Sequence, residues 1–390
     1  MNNQSRQILE GSQAIARIVR LIDPAVVSAY PITPQTHIVE DLAKMKAQGE
    51  AKFAYLRAES EFAAASIILG ASATGVRVYS ATSSQGLLLM TEVIYNIAGM
   101  RLPVVMTCAN RSVSSPINIW NDHSDVMSIR DAGWIQLFAG TNQEAVYQHL
   151  LAYRLAESLH LPVMVNVDGF ILTHSYEPII IPAATLVKRY LPPYRPNVGT
   201  YLDPRRPVTL GAFFGPQHYM ETREQLQSDL VASLKVIERE NRRLRQVFNI
   251  KPAEPIDNGL LEYSGPPKPT AVLVALGSVT GTIQAALRRH KTTGLLKIKT
   301  YRPFPAAAVV AVLGRAKNVA VIEKAVSLGQ AGPLYSDIAA ALAAAGGCQK
   351  IRLKDYIVGL GGRDVTEKMA DRIIRDVPKH NAYLKFIGQI

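Results

Sequence analysis

LPVVMTCANRSVSSPINIWNDHSD, Leu102 to Asp125, opens as a short β-rich run and breaks off into a long polar stretch. AVVSAY, VRVYSAT, WIQLF and LPVMVNVD are further β-rich runs, separated by helix-period segments such as QEAVYQHLLAYRLAESLH. This alternation predicts an α/β fold: a doubly wound parallel sheet with helices on both faces, whose ligands sit beyond the carboxyl ends of the strands. The polar residues that follow each run are therefore the ones that bear on function.

Past Asp168 the alternation weakens. YLPPYRPNVGTYLDPRRP is proline-rich, ETREQLQSDLVASLKVIERENRRLRQVFN reads as a polar helix, and IKPAEPIDNGLLEYSGPPKP reads as a linker. From Thr270 a second α/β series begins, with AVLVALGS, LLKIKTY and NVAVIEKA as strands and AALAAAG and TEKMADRIIRDV as helices. The expected division is a first domain at 1–250 with a polar helical extension at about 195–250, a linker at 251–268, and a second domain at 269–390.

With 390 residues, 48% of them apolar and 19% charged, the chain can bury two or three cores and falls outside the disordered class. No stretch has the length and apolarity of a membrane span, and MNNQSRQILEGSQAIARI lacks the layout of a signal peptide, so a cytoplasmic protein without a membrane partner is expected. The two cysteines, Cys108 and Cys348, sit in no CxxC spacing and read as buried small hydrophobes. An iron–sulfur cluster needs about four ligands, so any electron-transfer chemistry must be completed by another chain. The net charge of +12 suits a polyanion. Yet the basic residues are spread out, and in IERENRRLRQVF they alternate with glutamates, which reads as a solvated helix face and not as a nucleic-acid patch.

Three polar loops follow strands of the first series: YPITP (Tyr30 to Pro34), SATSSQGLLLM (Ser80 to Met90) and TCANRSVSSPINIWNDHSD (Thr107 to Asp125). On a doubly wound sheet they converge on one crevice. RAESEFAAASIILGASATG adds Glu61 at the start of an alanine-rich helix, with Glu59 as its rival. Glu61 reads either as a helix-terminal acid stabilised by the helix dipole or as a crevice carboxyl of raised pKa that shares a proton with a ring nitrogen. Arg111 reads as a salt-bridge or carbonyl-capping residue, or as a two-pronged binder of a carboxylate. Thr33, held still between two prolines, makes an ST-turn or donates its hydroxyl to a substrate. ATSSQG, with Ser84 and Gln85, caps the next helix or touches a ligand; without GxxxxGK it is no triphosphate loop. Asp122, His123 and Asp125 match no common zinc or iron spacing and read as a hydrogen-bonded loop, and no metal is assigned to this chain.

YPITP, ESEFAAASIILGASATGVRVYSATSSQGLLLM, NRSVSSPINIWNDHSD and LPVMVNVDGFILTHSYE together resemble the alpha chain of the pyruvate:ferredoxin oxidoreductase family. ALGS, TYRPFP, VAVIEKAVSLGQAGPLYSDIAAAL and IVGLGGRDVT carry the resemblance through the second series and over nearly the whole chain. It implies an enzyme that uses thiamine diphosphate, Mg2+, iron–sulfur clusters and coenzyme A to convert a 2-oxoacid reversibly into CO2 and an acyl-CoA, with electrons passed to ferredoxin. In multi-subunit forms the alpha chain supplies the pyrimidine-binding domain and a transketolase C-terminal-like domain. The beta subunit supplies the diphosphate and Mg2+ half-site and a 4Fe-4S cluster, and gamma and delta subunits complete the complex. The scarcity of cysteine agrees with that division, and so does the lack of a GDG…N motif.

Residue by residue, the resemblance implies that Glu61 hydrogen-bonds the aminopyrimidine ring. Tyr30, Pro31, Ile32, Ser84 and Gln85 share the cofactor surface, and Thr33 and Arg111 bind the substrate. Relatives that act on oxalate place an extra positive charge at the threonine position, so Thr33 favours a mono-acid such as pyruvate. Branched-chain 2-oxoacids, arylglyoxylates and 2-oxoglutarate stand as alternatives, and a non-catalytic polyanion-binding scaffold is the reading from another class.

Overall fold

The computed structural model describes residues 6–252, 254–346, 351–379 and 382–388. The β-rich runs become strands buried along their whole length: Val78–Thr82, Val105–Asn110 and Val163–Asp168 show no exposed position. Helices cover both faces of the sheet, so no strand has a wet side to mark by alternation. The first sheet runs in the order Thr300–Arg302, Ile135–Phe138, Val163–Asp168, Val105–Asn110, Val78–Thr82, Val26–Ala29, Ala54–Arg57, and only the Thr300–Arg302 edge is antiparallel. From Val26–Ala29 the chain first steps outward to Ala54–Arg57 and then returns to add Val78–Thr82 on the other side. That reversal is the switch point, and it opens a crevice at the carboxyl ends of Val26–Ala29 and Val78–Thr82.

The second sheet follows the order Leu384–Phe386, Arg352–Ile357, Asn318–Glu323, Ala271–Ala275, Thr293–Ile298, Leu261–Ser264, Ile256–Asp257. Its last two strands correct the linker reading of 251–268. Leu261–Ser264 pairs antiparallel with Thr293–Ile298, and Leu260, Leu261 and Tyr263 enter the same buried core as the first sheet. Proline and glycine on either side gave the segment the look of a tether, while its short apolar centre docks on an open sheet edge. Thr300–Arg302, from the second series, crosses back to complete the first sheet, so the two units share a sheet edge as well as a core.

The polar helix is longer than its sequence reading, Pro216–Phe248, with proline in its first turn. It is also less solvated. Ile237, Glu240, Asn241 and Leu244 are buried on one face, and Arg154 Nε holds Glu240 Oε2 at 3.0 Å. Part of the charge alternation therefore serves packing. Cys108 is buried as expected, and Cys348 lies outside the described residues. Among the described residues no helix is long and apolar enough to cross a membrane.

Candidate functional site

Glu61 is the first residue of the helix Glu61–Ala73, whose preceding Ser60 caps it by accepting the amide of Ala63 at 3.1 Å. Alanines at 64 and 65 are fully buried and let this helix lie close to the sheet. Glu61 is 8% exposed, and among the described residues no hydrogen bond or ion pair reaches its carboxylate. Gly86 packs against it. A Cβ at that position would lie 2.7 Å from Glu61 Oε1 and 2.7 Å from Thr82 Oγ1, so the lone glycine of ATSSQG admits the carboxylate.

Beside it, Ser84 takes a left-handed backbone with φ 46°, uncommon for a residue with a side chain. Two contacts hold it. Asp125 Oδ2 accepts its amide at 3.0 Å, and the Ser112 carbonyl accepts its hydroxyl at 2.5 Å. Gln85, half-buried, accepts from the Ser84 hydroxyl and donates to Ser114 Oγ. Asp125 is the hub under these loops: Oδ2 also takes the Arg111 amide at 3.0 Å, while Oδ1 takes Val126 N at 2.7 Å and Asn110 Nδ2 at 3.2 Å. Burial pushes its pKa up to about 6 against the pull of those amides. WNDHSD is thus the hydrogen-bonded loop its spacing indicated.

Arg111 is 7% exposed, and burial draws its pKa down while Asp125 opposes the shift. Its Nε donates to the Asn118 carbonyl at 3.0 Å and its Nη1 to the Thr33 carbonyl at 2.9 Å. This is the carbonyl-capping reading, and it ties the third loop to YPITP. Nη2 has no partner among the described residues. Thr33 is exposed, Pro34 is buried, and the peptide between them is cis. Gln35 was missed in the sequence. Fully buried, its Nε2 donates to Tyr30 O at 3.0 Å and Ala81 O at 2.8 Å, stapling YPITP to the end of the neighbouring strand. Tyr30, Pro31 and Ile32 are thereby tied to the end of the strand Val78–Thr82, which leads into Ser84 and Gln85. Tyr30, Leu56, Phe62, Leu89, Ile117 and Trp120 are exposed apolar residues on the segments around this crevice.

A second polar centre, also unforeseen, joins the two units. Asp168 Oδ1 meets His123 Nε2 at 2.7 Å; its Oδ2 accepts Ser278 Oγ at 2.5 Å, Ser278 N at 3.1 Å and Lys324 Nζ at 3.2 Å. Burial would raise the Asp168 pKa, but the Lys324 and His123 charges hold it far below the ordinary carboxylate range.

Comparison with known proteins agrees with this layout. The family model described as pyruvate flavodoxin/ferredoxin oxidoreductase, thiamine diP-bdg, matches residues 18–242, and the pyruvate:ferredoxin oxidoreductase core domain II matches 270–369. Pyruvate synthase subunit PorA of Methanocaldococcus jannaschii is 44% identical over 380 residues, 96% of this chain and 95% of that one. PorA of Methanothermobacter thermautotrophicus is 41% identical over 388 residues, 98% of each. Ketoisovalerate oxidoreductase subunit VorA of Pyrococcus horikoshii is 36% identical over 381 residues, 97% of this chain and 95% of that one. Among solved structures, the 2-oxoglutarate:ferredoxin oxidoreductase of Magnetococcus marinus superposes with a TM-score of 0.69 at 19% identity, over 97% of this chain and 66% of that one, a likeness of fold. With a thiamine-diphosphate-binding model over its first sheet and relatives matched end to end, the chain belongs to the pyruvate:ferredoxin oxidoreductase family.

Proposed function

We propose that this chain is the alpha subunit of a multi-subunit pyruvate:ferredoxin oxidoreductase, and that its crevice at the switch point carries the pyrimidine half of a thiamine diphosphate site. The observation that carries the reading is Glu61: a side chain only 8% exposed at the switch point, whose carboxylate has no hydrogen-bond or ion-pair partner among the described residues and so is free to meet a donor that a ligand brings. An aminopyrimidine ring offers nitrogen groups of that kind, so the residues fit the cofactor. When bound, thiamine diphosphate supplies a nucleophilic carbon able to attack a 2-oxo group and to hold the electrons left when CO2 departs.

The chain's own residues supply position and protons. Glu61 Oε1, kept near the Ser84 turn by the bare Cα of Gly86, exchanges a proton with a ring nitrogen. Tyr30, Pro31 and Ile32 form one lip, fixed by Gln35, and Ser84 and Gln85 the other, fixed by Asp125. Thr33 presents its hydroxyl to the 2-oxoacid. The unengaged Nη2 of Arg111 faces the same carboxylate group, with the other two nitrogens holding the guanidinium in place. A beta subunit supplies the diphosphate and Mg2+ half-site. Iron–sulfur clusters belong to partner chains too, since two cysteines in 390 residues cannot ligate one. The exposed apolar rim of Tyr30, Phe62, Leu89 and Trp120 is the surface that such a partner covers. Coenzyme A takes the acyl group and ferredoxin the electrons.

The test is Glu61→Gln in the assembled complex, assayed by pyruvate- and coenzyme A-dependent viologen reduction. We expect kcat to fall about 10²–10⁴-fold with thermal stability preserved. Wild-type turnover would remove Glu61 from this role. The same assay with 2-oxoisovalerate and 2-oxoglutarate decides the substrate, pyruvate being expected to show the highest kcat/KM.

A further inference from the structure

Next to YPITP, but on residues assigned to neither cofactor nor substrate, Glu10, His37 and His174 bring one carboxylate oxygen and two imidazole nitrogens within 4.8 Å of one another. We propose that these three residues form a site for a late first-row divalent cation of the zinc class.

Each donor arrives on a different element. Glu10 ends the strand Gln7–Glu10 and precedes the helix Gly11–Ile22; His37 is the second residue of the helix Thr36–Ala47; His174 lies in the turn after Val163–Asp168. Backbone bonds fix the first and third together: Gly11 N donates to Ser175 O at 3.1 Å and Ser12 N to Thr173 O at 3.0 Å, and the buried Ser12 hydroxyl adds a bond to Thr173 O at 2.8 Å. The donors are thus held by rigid main chain, with only the His37 side chain largely in solvent.

The detailed chemistry fits a cation. His37 Nδ1 stands 2.7 Å from Glu10 Oε1, sharing a proton that a metal can displace. Zn2+ takes nitrogen at about 2.0–2.1 Å and carboxylate oxygen at about 2.0–2.2 Å, so the pair must open by only a fraction of an ångström. The His37 and His174 rings lie with centroids 4.5 Å apart, an arrangement in which small rotations aim both nitrogens at one point. His174 Nδ1 is 2.7 Å from the hydroxyl of the fully buried Thr173, which also accepts Phe170 N at 2.8 Å. With Nδ1–H donating to that hydroxyl, Nε2 is left as the electron-pair donor, and such an outer hydrogen bond is the usual companion of a metal-ligating histidine. Two imidazoles and one carboxylate select Zn2+, Co2+ or Ni2+ over Mg2+ or Ca2+, and water completes the coordination.

The site has a structural consequence. His37 lies just beyond YPITP, and the turn carrying His174 begins at Gly169, where a Cβ would fall 2.5 Å from Pro34 Cγ. A bound cation ties the helix after YPITP to the turn that supports it.

The experiment uses the full chain, stripped with a chelator and titrated with Co2+, whose visible ligand-field absorption reports coordination by protein nitrogen. We expect one equivalent bound, displaced by Zn2+. H37Q and H174Q should each weaken binding at least tenfold, and H290Q, which alters a surface histidine paired with Asp371, should leave it unchanged. Equal binding by wild type, H37Q and H174Q overturns the proposal, as does the absence of bound Co2+ at millimolar concentration. X-ray absorption on the Zn2+-loaded wild type needs no variant to fold: two imidazoles in the coordination shell support the site, and none or one overturns it. These readouts do not involve thiamine diphosphate, so their failure leaves the catalytic reading standing.

Discussion

Asp125 and Asp168 are both buried at the carboxyl edge of the first sheet, and each accepts several hydrogen bonds, yet their acidities move in opposite directions. Desolvation acts on both. Asp168 meets the charges of Lys324 and His123 and is held far below the usual carboxylate range. Asp125 accepts from amides, Asn110 and a thiol, lies near the Asp122 carboxylate, and rises to about 6 because burial outweighs the amides. Glu61, a short distance along the same edge, has no donor among the described residues. The junction between the units pairs its aspartate with a lysine and a histidine, as a region that must stay closed should. The crevice floor holds its aspartate mainly by amides, and its lip holds a carboxylate in reserve. One region is built for cohesion and the other for a ligand.

The sharpest way to break this contrast is at the junction. Asp168→Ala leaves the Lys324 ammonium buried with Asn121 as its remaining side-chain partner and strips His123 Nε2 of its acceptor. Breaking a buried pair from one side costs about 3–5 kcal/mol. Urea unfolding of the purified protein should register a loss of that size, with the slope unchanged. A loss near zero would mean that the junction is not closed around its charges.

Asp125 supplies the next effect, visible in its pH dependence. A carboxyl whose folded pKa lies above its unfolded value favours folding in its protonated form, so its contribution is complete below about pH 4 and is lost as pH rises to about 6. Over that window wild type should lose roughly 3 kcal/mol relative to Asp125→Asn, which cannot titrate. Urea midpoints of both proteins measured from pH 4 to 7 give the difference directly. A difference that stays flat, or rises with pH, would show that the amides around Asp125 outweigh its burial and that the two aspartates are alike after all.

How much of this was legible beforehand depends on the range over which each feature is written. The switch-point crevice was legible because it follows from strand order, and strand order from a local alternation of β-rich runs and helices. Glu61 stood out only as an acid at the start of an alanine-rich helix; the strand Ala54–Arg57 before it was not among the β-rich runs. Gln35 was not legible: its two acceptors, Tyr30 O and Ala81 O, sit on adjacent strands, and nothing local marks a glutamine as a staple. Gly86 looked like a poor phosphate loop because the residue it accommodates lies on another helix. The strands at 256–257 and 261–264 carry turn residues that signal a tether, and only the open edge of Thr293–Ile298 recruits them. The Asp168–Lys324 pair spans the two units, where no periodicity reaches.

Gly86 allows a test of the crevice that leaves the junction alone. In Gly86→Ala the new methyl group clashes with both Glu61 Oε1 and Thr82 Oγ1, each 2.7 Å from its built position, so the Glu61 side chain must move, while the helix the methyl enters tolerates alanine well. A carboxylate displaced by about 1 Å should lower kcat on the order of 10²-fold, with thermal unfolding close to wild type. Activity near wild type would show that the position of Glu61 is not tuned by its neighbour.

The smallest expected effect separates positioning from chemistry. Gln35→Leu keeps a comparable volume and removes the Nε2 donor, leaving the Tyr30 and Ala81 carbonyls without that partner; it also removes Oε1, itself buried without one. The orphaned carbonyls cost about 1–3 kcal/mol and loss of the orphaned oxygen offsets part of that, for a net near 1 kcal/mol. The lip carrying Thr33 is then held by the Arg111 guanidinium alone on that side, so the KM for the 2-oxoacid should rise several-fold while kcat at saturation changes less. An unchanged KM together with a fallen kcat would place YPITP against the cofactor and not against the substrate, and would shift the role read for Thr33 to its three preceding residues.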